Sequence, residues 1–131
     1  MNVSQKPPIL EKTLHTFALE AEADDRIWQQ MNVYLHLYLY DEQGVQVGMH
    51  SVQHQEGASP EHLRVESQEA VAQIKVCLYV VPRRLPDSSQ VADSPPLNLT
   101  LRIFRDGKTI DTLHRRINSW GGDQLIGLAY Q

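Results

Sequence analysis

Residues 31–40 read MNVYLHLYLY, and this stretch decides the fold class of the chain. Aliphatic residues occupy positions 33, 35, 37 and 39, and polar or aromatic residues stand between them. Successive side chains of a strand point to opposite faces, whereas a helix would spread both sets around its circumference. The stretch therefore predicts a β-strand whose aliphatic face packs in a core. Its other face carries Tyr34, His36, Tyr38 and Tyr40.

The same two-residue period recurs along the rest of the chain. It is clearest over residues 72–80 and 97–104. Two polar turns that end in glycine, Asp41 to Gly44 and Asp106-Gly107, are typical of hairpins, because glycine tolerates positive φ. Further strands are expected over residues 14–23, 45–49, 62–66, 108–117 and 125–130.

About eight short alternating strands separated by turns predict an all-β fold. We expect an antiparallel β-sandwich, Ig-like, C2-like or jelly-roll-like, with little helix. Residues 24–30 and 66–72 each have room for a helical turn. Residues 1–9 are expected to form an extended tail, and residues 10–131 a single β-sandwich domain.

Composition narrows the class of function and the partners. The chain has 131 residues and a formal net charge of -4, and its basic pairs, Arg83-Arg84 and Arg115-Arg116, are short. A nucleic-acid-binding surface needs clustered positive charge, so no nucleic acid is expected. No stretch approaches the ~18 apolar residues of a membrane helix, so no membrane is expected either.

The single cysteine, Cys77, excludes an internal disulfide. Cys77 lies in an alternating stretch and is interpreted as a small packed thiol. Residues 1–10 show no basic segment followed by an apolar run, so no signal peptide is expected. Together these features favour a soluble protein of the cytoplasm.

The alternation of strand directions indicates which end of the sandwich carries the function. Each antiparallel strand crosses the sandwich, so successive connections fall at alternate ends. Segments 24–31, 51–61, 82–96 and 118–123 therefore gather at one end, which we call the long-loop end. The other connections are short turns. Function concentrates on loops that a rigid scaffold holds, so the long-loop end is expected to be the working end.

Charged and aromatic residues of the long-loop end are the candidate ligand- or partner-binding residues. Trp and Arg are frequent anchors of recognition surfaces. Either tryptophan has a structural alternative, Trp28 as a plug of the core and Trp120 as the closure of a bend. The candidates are Asp24, Asp25, Arg26, Trp28, Arg83, Arg84, Trp120 and Asp123, and His50, His54, Asp87 and Asn118 are expected beside them.

Metal and catalytic chemistry find less support in the sequence. His50 and His54 would stand ~13 Å apart on a strand, too far to bind one ion, so we interpret them as solvated loop residues. With His62 they leave a zinc site open. Calcium needs several closely spaced oxygen ligands, and no dense acidic loop is present. No motif for a nucleophile or a phosphate-binding loop occurs, so no catalytic residue, cofactor or metal is assigned.

The order of elements from Val33 onward resembles that of the tellurite-resistance TerD-like β-sandwich domains. The similar parts are the hairpin at residues 40–44, the strand over residues 73–81, the hairpin at Asp106-Gly107 and the segment 127–130. The resemblance implies a β-sandwich. The Asp-rich calcium-binding segments of that family have no match here, so no functional residue is carried over.

These observations favour a non-catalytic interaction module. We expect it to bind a protein partner or to self-associate, through the long-loop end or an exposed strand edge. One alternative is a small-ligand or calcium-binding sandwich that uses the acids and tryptophans of the long-loop end. Another is a metal-dependent jelly-roll-like enzyme.

Overall fold

The computed structural model describes residues 13–54, 62–83, 96–117 and 123–131. In these residues, eight strands and one short helix build two four-stranded antiparallel sheets, which confirms the predicted β-sandwich. The first sheet has the order β4-β1-β6-β7 and the second the order β3-β2-β5-β8. In chain order the elements are β1 (Phe17–Ala23), α1 (Asp25–Gln30), β2 (Met31–Tyr40), β3 (Gln46–His54), β4 (His62–Glu66), β5 (Gln73–Pro82), β6 (Leu97–Arg105), β7 (Lys108–Ile117) and β8 (Asp123–Tyr130).

The strand β2 has the two faces that its sequence predicts. Val33, Leu35, Leu37 and Leu39 are fully buried, and the residues between them are half-buried. β2 lies in the middle of the second sheet, between β3 and β5. The alternating aliphatic residues therefore form the inner layer of that sheet, because its other face points away from the core.

The core lies between the two sheets. Inward side chains of β1 and β6 (Phe17, Leu19, Leu101 and Ile103 among them) pack against those of the second sheet. Fully burying a side chain of this size stabilises the fold by ~1.5–3 kcal/mol. Cys77 faces outward on β5 and is 6% exposed, so the structure confirms a packed thiol.

Both predicted hairpin turns are present. At the β2–β3 turn, one carboxylate oxygen of Asp41 accepts hydrogen bonds from the backbone N–H groups of Gln43 and Val45, each at 2.9 Å. At the β6–β7 turn, Asp106 and Gly107 have φ of 50° and 83°. Two successive positive φ values match the right-handed twist of the flanking strands, which explains the Asp-Gly pair.

The predictions of a strand start at residue 14 and of a helical turn over residues 66–72 are wrong. β1 begins at Phe17 and not at residue 14, because Leu14 is exposed and His15 forms only an isolated bridge with Val71. Residues 67–72 contain no helical turn. Ser67 is buried there, and its hydroxyl oxygen accepts a hydrogen bond from the Phe17 N–H at 3.0 Å.

The ends of the strands meet as the alternating directions require. The last residue of β1 lies beside the start of β6, and Met31 at the start of β2 pairs with Pro82 at the end of β5. The same end of the sandwich holds the last residues of β3 and β7 and the first residues of β4 and β8. This is the long-loop end that the sequence predicts. The helical turn predicted for residues 24–30 is present at this end as α1. In the described ranges, no helix is long and apolar enough to cross a membrane.

Candidate functional site

The structure places six of the eight candidate residues at the long-loop end. Asp24 precedes α1, and Asp25, Arg26 and Trp28 lie in it. Arg83 directly follows β5, and Asp123 begins β8. Arg84 and Trp120 lie outside the described residues, as do Asp87, Asn118 and residues 1–9.

Arg83 makes several hydrogen bonds to neighbouring elements of this end. Its guanidinium donates to Asn32 Oδ1 and to the Gln29 carbonyl, both at 2.8 Å. Its backbone N–H donates to the Gln30 carbonyl at 3.0 Å. Arg83 thus ties the end of β5 to α1 and β2, and we call this set of contacts the Arg83 cluster.

His54 completes the Arg83 cluster from β3. Its Nδ1 lies 3.3 Å from Arg83 Nη2. A guanidinium only donates hydrogen bonds, so Nδ1 accepts and the proton of a neutral imidazole lies on Nε2. The His54 ring packs on Trp28, with 5.0 Å between the ring centroids, and both side chains are buried.

The two histidines of β3 are not solvated loop residues as predicted. β3 continues to His54, and both histidines point toward the inner side of the sheet, opposite Leu37 and Val33. His50 lies in the middle of the strand and is half-buried, so it does not belong to the long-loop end. The predicted loop over residues 51–61 therefore begins no earlier than residue 55.

Trp28 supports this end from inside. It is 8% exposed and belongs to the hydrophobic core, as in the structural alternative given above. Among the described residues, its Nε1 and the Gln30 Oε1 are buried without a hydrogen-bond partner. Asp25 is exposed and Arg26 is half-buried on the same helix, so these two present charge to solvent.

Two further described acids of this end, Asp24 and Asp123, are engaged within the protein. Asp24 Oδ2 accepts hydrogen bonds from the Asn98 backbone N–H at 2.8 Å and from its side-chain amide at 3.3 Å. Asp123 Oδ2 accepts from Arg115 Nε at 2.9 Å and Nη2 at 2.8 Å. In the part of the chain that the structure describes, no three His, Cys, Asp or Glu side chains come together as a metal site would require.

The outer face of the second sheet is a second candidate site, and we call it the aromatic face. Tyr34 pairs directly with Tyr79, and His36 with Cys77. The His36 ring lies 6.3 Å from Tyr38 and 5.9 Å from Tyr79. The residues whose side chains point outward on the aromatic face are Asn32, Tyr34, His36, Tyr38 and Tyr40 of β2, Met49, Ser51 and Gln53 of β3, Gln73, Lys75, Cys77, Tyr79 and Val81 of β5, and Gln124, Ile126 and Ala129 of β8.

Apolar side chains surround the aromatic centre of this face. Met49 is 47% exposed, Val81 47% and Ile126 56%. Loss of solvation, together with the neighbouring Cys77, raises the pKa of Tyr38 above its ordinary value. Lys75 lies over the Tyr40 ring at 5.2 Å.

The outer face of the first sheet is of the opposite character. Arg64 of β4 pairs with Glu20 and Glu66, both at 2.9 Å, and Arg102 of β6 pairs with Glu22 at 2.8 Å. Alternating charges of this kind keep one outer face of the sandwich in water. The contrast makes the aromatic face a distinctive surface of the described chain.

A cleft of about 510 Å³ lies at the short-turn end, away from the predicted working end. His15, Glu42, Gln73 and Arg105 line it, with Thr13, Ala72 and Gln131. Arg105 Nη1 donates to the Gln131 carbonyl at 2.6 Å, and His15 Nδ1 bonds to Asp106. Two of its polar side chains are thus already engaged within the protein.

Comparison with known proteins supports the fold. No family model matches the chain, and no curated protein matches it. The resemblance to TerD-like domains is therefore not supported as family membership. Among solved structures, the chain is similar to the NMR structure of the calcium-bound form of a protein from Parabacteroides distasonis. The two share 13% identity with a TM-score of 0.54, over 98% of this chain and 100% of the other, which shows a shared fold.

Proposed function

We propose that this protein is a non-catalytic interaction module that binds a protein partner at the long-loop end. The Arg83 cluster carries the proposal. Three guanidinium contacts and one backbone hydrogen bond join α1, β2, β3 and the end of β5 into one unit. A surface that is ordered before binding loses less entropy when a partner docks, which favours affinity.

Charge at the same end supports a polar partner surface. Asp25 and Arg26 are adjacent on α1 and reach solvent, and in the described residues they take part in no ion pair. Charged residues at an interface contribute specificity and association rate. The partner would therefore present complementary charges toward α1.

A charge-swap experiment tests this proposal. Affinity capture and mass spectrometry with the wild-type chain identify the partner, and binding is then measured with both proteins purified. The double variant Asp25→Lys/Arg26→Glu keeps the net charge and is expected to bind at least about tenfold more weakly, or ~1.4 kcal/mol. The matched control Glu42→Lys/Lys108→Glu exchanges two exposed charges at the turn end and is expected to bind as the wild type does.

Equal binding by both double variants would contradict the proposed surface. A calcium- or zinc-dependent rise in melting temperature would favour the ligand-binding alternative, because a ligand of the folded state stabilises it. Calcium deserves inclusion because the similar solved structure is described as calcium-bound.

We also propose a cytoplasmic location. Cys77 is a free, buried thiol, and unpaired thiols are typical of reducing compartments. Fractionation of cells that express the chain from its own promoter tests this. Recovery in an extracytoplasmic fraction would contradict it.

A further inference from the structure

We propose that two copies of this chain associate through their aromatic faces. This surface is centred on the middle of β2 and β5 and meets the long-loop end only where these strands reach it, at Asn32. The inference therefore goes beyond the partner binding proposed for α1 and the Arg83 cluster. It rests on the side chains of the face, on its charge, on its area and on the symmetry that it permits.

The tyrosines of the chain are concentrated on this face. Tyr34, Tyr38, Tyr40 and Tyr79 lie on it, and in the described residues none of their hydroxyls makes a hydrogen bond to the protein. The remaining tyrosine, Tyr130, donates to Asp111 at 2.7 Å. A half-buried ring with a free hydroxyl offers both apolar area and a hydrogen bond, which is why tyrosine is enriched in interfaces.

The charge of the face selects a second copy as its occupant. Lys75 is the one Lys, Arg, Asp or Glu among the outward positions of the aromatic face, whereas the chain as a whole has a formal net charge of -4. A strongly acidic or basic partner would find almost no complementary charge here. An identical face meets it without repulsion, although other surfaces of two such chains repel each other.

The area of the face is sufficient for a dimer. Four strands spaced ~4.8 Å apart, with ~9 residues of ~3.3 Å each, give a footprint of roughly 19 Å by 30 Å. Side-chain relief makes the accessible area larger than this footprint of roughly 570 Å², which brings it near the ~800 Å² per partner of a stable interface. Two sheets can pack face to face with ~10 Å between them.

Two-fold symmetry keeps the Lys75 side chains of the two copies apart. A two-fold axis in the plane of the interface, running along the strands between β2 and β5, places β5 of each copy over β2 of the other. Lys75 and Tyr38 are register partners. Each Lys75 therefore faces the Tyr38 ring of the second copy, a favourable cation–π arrangement, and the two ammonium groups do not meet.

Light scattering coupled to size exclusion tests the proposal on the full chain. The wild type is expected to reach about twice the 15.0 kDa of one chain at micromolar concentration. The double variant Met49→Glu/Ile126→Glu adds charge to two exposed side chains of the face. It is expected to weaken association at least about 100-fold, because each carboxylate would lose its hydration in the interface.

The matched control is Leu14→Glu/Val45→Glu. These apolar residues are also exposed, at 38% and 57%, but lie off the aromatic face, and their replacement adds the same charge. The control is expected to remain dimeric. Circular dichroism establishes that both variants fold. A wild-type mass of 15.0 kDa at 100 µM, which is at least about a hundredfold above a sub-micromolar Kd, overturns the proposal.

Equal dissociation of both double variants also overturns it, since general repulsion would then explain the loss. The proposal is overturned as well if the Met49→Glu/Ile126→Glu variant remains dimeric. The Asp25→Lys/Arg26→Glu variant is expected to keep the dimeric mass. Failure of self-association and failure of partner binding are thereby distinguished.

Discussion

Arg83 joins the end of β5 to α1, β2 and β3 at the long-loop end. Asn32 Oδ1 and the Gln29 carbonyl both accept from its guanidinium. Replacement by methionine keeps an unbranched side chain but leaves these acceptors without their donor. Arg83→Met is expected to lower the free energy of unfolding by about 1–3 kcal/mol. Urea denaturation measures the change.

Arg83→Lys separates charge from geometry. Lysine keeps the positive charge but lacks the planar fork that reaches two elements at once. We expect Arg83→Lys to retain less than half of the free energy of unfolding that the Arg83→Met variant loses. Full recovery would show that charge alone holds the cluster together, and an unchanged midpoint for Arg83→Met would show that the cluster contributes nothing.

Tyr130 links the last strand to the first sheet and responds to alkaline pH. Burial, and then the hydrogen bond that it donates to Asp111, raise the pKa of Tyr130 above 10. Above pH 10 the unfolded chain loses this proton while the folded chain keeps it. The stabilisation is therefore complete below pH 10 and decreases as the pH rises from there toward the folded-state pKa.

The measurement is the free energy of unfolding between pH 9 and pH 11 for the wild type and for Tyr130→Phe. The variant is expected to show a smaller loss of stability over this interval, because it has no phenol to ionise. Tyr34→Phe serves as the control, since Tyr34 has no hydrogen-bond partner in the described part of the chain. Parallel pH profiles for the wild type and Tyr130→Phe would contradict the assignment.

The β6–β7 hairpin depends on the backbone of its turn. Gly107 has φ of 83°, and an added Cβ would meet no atom within 4 Å. Any loss of stability on replacing Gly107 therefore comes from the backbone conformation and not from steric crowding. Gly107→Ala is expected to destabilise the fold by ~1–2 kcal/mol, whereas Gly107→Asn costs less because asparagine tolerates this region. Thermal unfolding measures both, and equal losses would contradict a conformational origin.

The first and last residues of strands with an aliphatic inner face could be predicted closely from the sequence. β2 and β7 have the predicted bounds, as does the short β4. β3 could not be predicted beyond Met49, because two of its inner positions are occupied by His50 and His54. A polar residue on an inner face interrupts the alternation, and its burial depends on partners from distant elements such as α1.

The candidate site was predictable in its location only. Alternation of strand direction is a property of any antiparallel sandwich, and it placed Arg83 and Asp123 at one end from sequence. The contacts of Arg83 have no local signature, since one acceptor is a backbone carbonyl and the others lie 29 and 51 residues away. Asp24 is the N-cap residue of α1, but its carboxylate bonds to Asn98 and makes no capping hydrogen bond to its own helix.

The whole molecule has two outer faces of opposite character on one core. Ion pairs cover the first sheet, and tyrosines with apolar neighbours cover the second. Sequence alternation predicted the aromatic stripe of β2 but not its continuation on β5, because register across strands follows from tertiary pairing. The proposed self-association surface therefore lies on the outer side of the second sheet, whereas the proposed partner surface is centred on α1 at one end of the sandwich.

The strand order also determines how the chain can reach this structure. In each sheet one pair of neighbours is consecutive in sequence, β6–β7 in the first and β2–β3 in the second. β1 lies between β4 and β6, so its pairing must close loops of tens of residues. Such closures are slow, and sandwiches of this kind fold in milliseconds to seconds. A nascent chain thus leaves one edge of β1 unpaired until β4 has been synthesised and the other until β6 has been synthesised, and an unpaired edge can pair with another chain.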